Sequence, residues 1–402
     1  MELPGRSLKP GWQVYRFDQI AIIVNDRVEP GDTDAEYYVG LEHLDPDSLK
    51  IRRWGQPSDV EATKLRFCKG DIIFGRRRAY QRKLGVAEFD GICSAHAMVL
   101  RPKTEVVLPE FLPFFMQSDL FMNRALEISV GSLSPTINWR TLAEQEFALP
   151  PLAEQRRMAE VLWAAVVAKD NYRELVHITR KLWTATAEEY FSETGLAFDS
   201  GAKKSIRLGG LLDYSSDGPF GSKLKTEHYT EYGVRVIRLQ NIDDRSFNND
   251  DQAFISEAYY QETLTGYTVR PGDVIVAGLG DENIQPGRAC IVPNFLGLAV
   301  NKADCYCLRP VKDLDARFLV CFFNSPYGLR QSMSFTQGTT RYRLNLGNIR
   351  RMLVPLPDLT VQQGIANTLD DIQSAENLAI CKLEAQEGLL KKLLNSLFGE
   401  NK

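Results

Sequence analysis

The chain has 402 residues, 44% hydrophobic and 25% charged, with a formal net charge of −4. That length accommodates two or three domains with their own cores, and the balance is ordinary for a soluble globular protein. The acidic sum argues against a large nucleic-acid footprint, so any such surface must be local. The longest apolar run, Val161 to Ala168, is too short to span a membrane, and the N-terminus carries no signal-peptide core. Seven scattered cysteines without a paired CxxC read as reduced thiols. No membrane partner and a cytoplasmic location are expected.

In chain order, residues 1–150 read as mixed α/β. Ile20–Val24, Asp71–Phe74 and His96–Leu100 suit short strands bounded by Gly, Asp and Pro, and 108–128 looks helical. Directly after the second of these strands comes a cluster of five cations without an anion: Arg76, Arg77, Arg78, Arg82 and Lys83, with Tyr80 among them. A glycine-led loop follows at Gly131, carrying Ser134 and Thr136. From about 154 to 192 no Pro or Gly interrupts a long helix, and Pro151 stands where a proline is tolerated, in its first turn.

Residues 205–357 then repeat the scheme. Lys69-Gly70-Asp71 has a counterpart in Pro271-Gly272-Asp273, and Leu100-Arg101-Pro102 in Leu308-Arg309-Pro310. Gly278-Leu279-Gly280 is followed by Asp281 and Glu282, which would repel a pyrophosphate, so it reads as a turn. Near Gly338 lies a second basic stretch with Arg341, Tyr342 and Arg343. A second long helix covers about 361–398, with Thr360 and Gln363 in capping-box spacing.

The two halves align at an offset of 207 residues. Gly131 to Asn138 meets Gly338 to Asn345, and Leu149-Pro150 to Gln155 meets Leu356-Pro357 to Gln362. Phe111, Phe115 and Phe191 match Phe318, Phe322 and Phe398. The apolar register of the second helix, Ile365, Leu369, Ile372, Ala379, Leu383, Leu390, Leu393 and Leu397, is broken by Glu376 and Gln386. At the same offset the first helix shows Met158, Leu162, Ala165, Tyr172, Val176, Trp183, Thr186 and Tyr190, broken by Lys169 and Thr179. Two heptad stripes in matching phase predict mutual packing as a coiled coil, against the alternative of each helix packing on its own module. Helix-packing residues are therefore expected at Met158, Leu162, Tyr172, Trp183, Ile365, Leu369, Leu383 and Leu390. The expected fold is α+β: two tandem mixed α/β modules separated and followed by long helices in an antiparallel coiled coil, with a pseudo-two-fold repeat.

Catalytic motifs do not assemble. The chain has no Walker A phosphate cradle, no glycine-rich adenosylmethionine loop and no amino-methyltransferase tetrapeptide. Its four histidines are dispersed; His96 reads as a core residue in a strand and His177 as solvated. The Cys305-Tyr-Cys307 pair lacks a second pair to complete a tetrahedral site. No catalytic residue and no metal ligand is nominated. The basic clusters differ in kind. Arginine forks suit phosphate oxygens and guanine edges, and interleaved tyrosines suit stacking. Their bland reading is a solvated basic surface, or intramolecular pairing with the acidic excess elsewhere in the chain. The two runs do not align under the repeat, since one follows an early strand and the other lies in a late loop.

Leu149-Pro150-Pro151-Leu152-Ala153-Glu154-Gln155 at the start of a long helix, its degenerate copy at Leu356-Pro357, and the Gly338-Thr339-Thr340 loop followed by Leu344 and Asn345 resemble type I restriction–modification specificity subunits. The resemblance covers essentially the whole chain. Val361 in place of a second Glu154, and Ser132-Leu133-Ser134 in place of Thr-Thr, are its departures. It implies two target-recognition domains (1–150 and 205–357), each reading one half of a bipartite asymmetric double-stranded DNA target. Two spacer helices (151–193 and 358–402) would dock two methyltransferase subunits. The chain itself would be non-catalytic and free of cofactors. S-adenosylmethionine would come with the modification subunits, and ATP with restriction/translocase subunits where these are present. The candidate DNA contacts are Arg76, Arg77, Arg78, Arg82, Lys83, Ser134 and Thr136 in the first module, and Thr340, Arg341, Tyr342 and Arg343 in the second. The alternatives are a recognition subunit serving a fused methylase–nuclease partner, or a tandem protein-interaction scaffold without a DNA role.

Overall fold

The structure, a computed structural model, describes residues 8–192, 205–338 and 341–398. The chain divides into two compact units, Met1–Tyr172 with Cys381–Lys402, and Arg173–Ile380. Each unit contains one module together with a half of each long helix.

In the first unit a four-stranded antiparallel sheet runs in the order Ala21–Val24, Ala97–Pro102, Ile72–Gly75, Leu84–Val86. A second sheet holds Arg27–Val28, Lys64–Phe67, Gly91–Cys93 and Tyr38–Val39, the last pair parallel. The module is closed at its root: Gln13–Arg16 pairs antiparallel with Glu146–Leu149, so both ends of the module leave from one place. The second unit repeats this plan. Leu212–Ser216, Cys305–Pro310, Val274–Ala277 and Ala289–Ile291 form the matching antiparallel sheet. Ser205–Arg207 pairs with Leu353–Pro355 as the root strap. Its other sheet has five strands, with Val234–Ile237 parallel to Ala299–Asn301.

The long helices are Leu152–Phe191 and Leu359–Phe398, each 40 residues. The second begins earlier than the capping-box spacing implies. Thr360 is its second residue, and the Asp358 carbonyl accepts from the amides of Val361 and Gln362. Pro151 likewise lies just outside its helix, its carbonyl accepting from the amides of Glu154 and Gln155. Within each unit the two helices run antiparallel. Met158, Ala159, Leu162, Ala165 and Val166 from the start of the first helix share a core with Leu390 and Phe398 from the end of the second. In the other unit Trp183, Ala187 and Phe191 share a core with Ile365, Ala366 and Leu369. Both stripes therefore pack on the opposite helix and on a module at once. Tyr172 and Leu383 are half-buried.

Each helix end is anchored by an aromatic. The Phe398 ring lies 5.4 Å from Phe111 and 5.9 Å from Phe115; the Phe191 ring lies 5.2 Å from Phe318 and 5.9 Å from Phe322. Burying such a ring contributes about 1.5–3 kcal/mol. Each helix start is clamped by a buried glutamine. Gln155 Nε2 donates to the carbonyls of Val106 and Pro150, and its Oε1 accepts from Leu108 N. Gln362 makes the same three bonds to Asp313, Pro357 and Asp315. A helix start carries amides and neighbouring carbonyls without intrahelical partners. One amide side chain satisfies three backbone groups at once, which accounts for glutamine at both positions.

Candidate nucleic-acid interface

In the first unit Arg76, Arg77 and Arg78 continue the strand Ile72–Gly75 beyond the sheet. The continuation is held by the Gly131 loop. Arg77 bridges Thr136, Ile137 N donates to Arg76 O at 2.9 Å, and Arg78 N donates to Pro135 O at 2.8 Å. The loop can turn back because Gly131 takes φ +115°, a region that favours glycine. Val130 and Thr136 then exchange two backbone bonds of 3.0 Å each.

The side chains divide into two groups. Arg77 Nε donates to Ser134 Oγ at 2.9 Å, leaving the guanidinium exposed and 3.4 Å from His96 Nε2. Arg78 is exposed and sits in the left-handed region at φ 56°. Tyr80 beside it is exposed as well. Arg76 is half-buried, with Nη2 on the carbonyl of Ala95. Arg82 and Lys83, by contrast, are turned into the protein. Arg82 pairs with Asp47 at 2.6 Å and Asp119 at 3.0 Å and donates to the carbonyl of Gln117. Lys83 Nζ donates to Leu41 O at 2.6 Å. The cluster of five cations in sequence is thus two exposed at the surface, Arg77 and Arg78, and three half-buried, of which Arg82 and Lys83 brace the turn. Ser134 and Thr136 are half-buried at the base of the same loop.

His96 is not a core residue. The strand begins at Ala97, and His96 lies exposed in the preceding turn. Partial burial, then the charges of Arg77, Arg76 and Lys64, hold its pKa below the ordinary histidine value. His177 is exposed on the first long helix.

The second unit builds the same corner from different residues. Leu279–Gly280 is a short strand rather than a turn, paired antiparallel with Tyr342–Arg343. Leu344 N donates to Gly278 O at 2.8 Å, as Ile137 N does to Arg76 O, and Gln337 and Arg343 exchange two backbone bonds as Val130 and Thr136 do. Gly278 is required here, because a Cβ would lie 2.4 Å from the Tyr306 ring. Arg343 places its guanidinium on Asp304, with Nε at 3.0 Å and Nη2 at 2.9 Å. Arg341 is exposed and has no ion-pair partner among the described residues; Tyr342 is half-buried. Thr340 lies outside the described residues.

This geometry resolves the mismatch between the two basic runs. Arg77 bridges Thr136, and at the corresponding place Leu279 pairs with Arg343. The cation stands on the early strand of the pair in one unit and on the late strand in the other. Sequence reasoning missed one further element, the turn at Gly218–Lys223 in the second unit, which presents Phe220 beside Arg343. An exposed aromatic among turn-forming residues was the available signal.

Among the described residues no cluster of three or more His, Cys, Asp or Glu side chains could hold a metal ion, and no helix is long and apolar enough to cross a membrane. The buried thiol of Cys290 is pushed up to about 12, and burial raises those of Cys305 and Cys307 as well.

Two repeated modules, each rooted on paired long helices and each carrying a basic corner, define a duplicated two-module scaffold. The chain belongs to the type I restriction modification DNA specificity domain family, which matches residues 56–166 and 203–385, more than half of the chain. It is 30% identical over 168 residues to the type I restriction enzyme EcoDI specificity subunit of Escherichia coli, a match spanning 40% of this chain and 37% of that relative's length. It is 22% identical over 419 residues, 96% of this chain and 92% of the relative, to a putative type I restriction enzyme MjaX specificity subunit of Methanocaldococcus jannaschii. The fold is shared with a solved type I restriction-modification S subunit from M. genitalium (TM-score 0.61, 16% identity, 99% of each chain). It is also shared with a chain from a study of complex assembly and conformational transition in the type I R-M system (TM-score 0.59, 21% identity, 99% of this chain and 100% of that one).

Proposed function

We propose that this chain is the non-catalytic DNA-reading subunit of a type I restriction–modification complex. Each module reads one half of a bipartite duplex target through its basic corner. The two long helices dock methyltransferase subunits, two in number, which bring S-adenosylmethionine; restriction/translocase subunits, where present, bring ATP. The carrying observation is that both units place an exposed arginine on the same strand pair, Arg77 against Thr136 in one and Arg343 against Leu279 in the other. Guanidinium groups held there are suited to phosphate oxygens and guanine edges. The corners present different sets of exposed side chains, Arg77, Arg78 and Tyr80 in one against Arg341 and Arg343 in the other, so the two half-sites are expected to differ in sequence.

The test is reconstitution with the methyltransferase subunits, followed by duplex binding across a salt series and mapping of methylated adenines. The expected result is affinity that falls steeply with salt and a split asymmetric methylated motif. A complex that forms without salt-dependent duplex binding favours a protein-interaction scaffold instead.

A further inference from the structure

The second unit holds an exposed phenylalanine in a fixed position. Phe220 is 50% exposed, and the segment leading to it is clamped. Asp304 N donates to Asp217 Oδ1 at 2.9 Å, and Asn301 Nδ2 donates to Ser216 O at 3.3 Å. Gly218 lies so close to the backbone at Lys302 that a Cβ would meet its carbonyl carbon at 2.1 Å. Beyond the ring, Gly221 takes φ +59° and the chain turns through Lys223. Lys223 is then tied down in its turn, its carbonyl accepting from Tyr259 Oη at 2.8 Å.

One cation stands beside the ring. The Arg343 guanidinium lies 5.9 Å from its centroid and is itself held by Asp304. Two other exposed aromatics of this unit, Tyr232 and Phe295, have no cation over the ring among the described contacts. The exposed half of the ring offers apolar surface next to a guanidinium of the kind suited to phosphate oxygens and base edges. In the first unit no such turn intervenes: Ala21–Val24, the strand corresponding to Leu212–Ser216, is followed almost at once by Arg27–Val28.

We infer that Phe220 is an apolar base contact that helps set the sequence read by the second module, with Arg343 beside it on the backbone or a base edge. The inference rests on the DNA-reading function proposed above. Aromatic side chains contact thymine methyl groups in the major groove or wedge against base steps, and either contact carries sequence information that a phosphate contact lacks.

The experiment uses the reconstituted complex with Phe220→Ala, Phe220→Leu and, separately, Arg341→Ala. Phe220→Ala is expected to lower affinity for the methylated target on the order of tenfold while leaving non-specific binding and the salt slope unchanged. The methylated motif should relax in one half only, and Phe220→Leu should retain part of the preference. The unfolding midpoint should fall only slightly, since half of the ring is exposed, and the complex should remain folded. If Phe220→Ala keeps the wild-type affinity and motif while Arg341→Ala reduces the salt slope, Phe220 is not a base contact and the DNA-reading function stands. If neither change matters because the wild-type complex does not bind duplex, both fall together.

Discussion

Arg101 grips Asp71 with two parallel bonds, Nε at 2.7 Å and Nη2 at 2.8 Å, and Asp71 is almost completely buried. Arg309 and Asp273 repeat the pair at 2.8 and 2.7 Å. The two short motifs that recur in each half, one ending in Gly-Asp and one holding Leu-Arg-Pro, are thus the two sides of one ion pair across neighbouring strands. Each carboxylate also accepts a backbone amide, from Cys68 and Arg270 respectively. Replacing Asp71 or Asp273 by Ala strands a guanidinium and an amide together. The expected loss is about 2–3 kcal/mol, read as a lowered denaturant midpoint, with Asp71→Ala acting on the first unit and Asp273→Ala on the second. Wild-type midpoints for both would mean that the pairs are surface decoration.

The aromatic anchors make a second expectation. Phe398→Ala and Phe191→Ala each empty a ring-sized site in one core, at a cost of about 3–5 kcal/mol. Hydrogen exchange should localise the Phe398→Ala effect to Met1–Tyr172 and its helix end, and the Phe191→Ala effect to the other unit. Protection that falls evenly throughout would contradict two separately anchored cores.

The basic corner separates by role. Arg77→Ala with Arg78→Ala should leave stability near wild type and flatten the salt dependence of duplex binding, by up to about 0.9 log units for each phosphate no longer neutralised. Arg82→Ala should instead cost stability, about 1–2 kcal/mol, through its bonds to Asp47, Asp119 and the Gln117 carbonyl. The reverse pattern would place the DNA contact at Arg82.

His96 supplies a pH dependence. Its pKa is depressed in the fold, so protonation is disfavoured there relative to the unfolded chain. The stabilisation is complete above the ordinary value of 6.5 and is lost as pH falls through the folded value. The first unit's melting temperature should therefore drop on acidification below about pH 6.5, and His96→Gln should shrink that drop. An unchanged pH profile in the variant would remove His96 from the account.

The second long helix carries Gly364 and Gly388, and a Cβ at either would meet nothing within 4 Å. Alanine at each should raise stability by about 0.5–1 kcal/mol. If the same changes weaken docking of a methyltransferase subunit in a pull-down, the partner approaches the helix at that glycine.

Periodicity and repetition are local properties of the chain, and so the order of residues alone reveals them. A long stretch without Pro or Gly must be helical if its apolar residues recur at steps of three and four. A duplicated segment must fold alike, and the offset of 207 residues recovers Gln155 with Gln362 and Phe191 with Phe398 because both copies satisfy the same packing. The basic corner is different in kind. An antiparallel bridge brings Arg77 against Thr136 and Leu279 against Arg343, residues about sixty positions apart, and either strand can carry the cation while the corner keeps its place. A linear alignment compares each strand with its own copy and finds two unrelated charge runs. Likewise Arg82 and Lys83 cannot be told from Arg77 and Arg78 in sequence. They become bracing residues only because the turn at Ala79–Gln81 points them at Asp47, Asp119 and the Leu41 carbonyl. Which charges meet solvent depends on where the chain returns in space, and that is decided by the packing of distant strands alone.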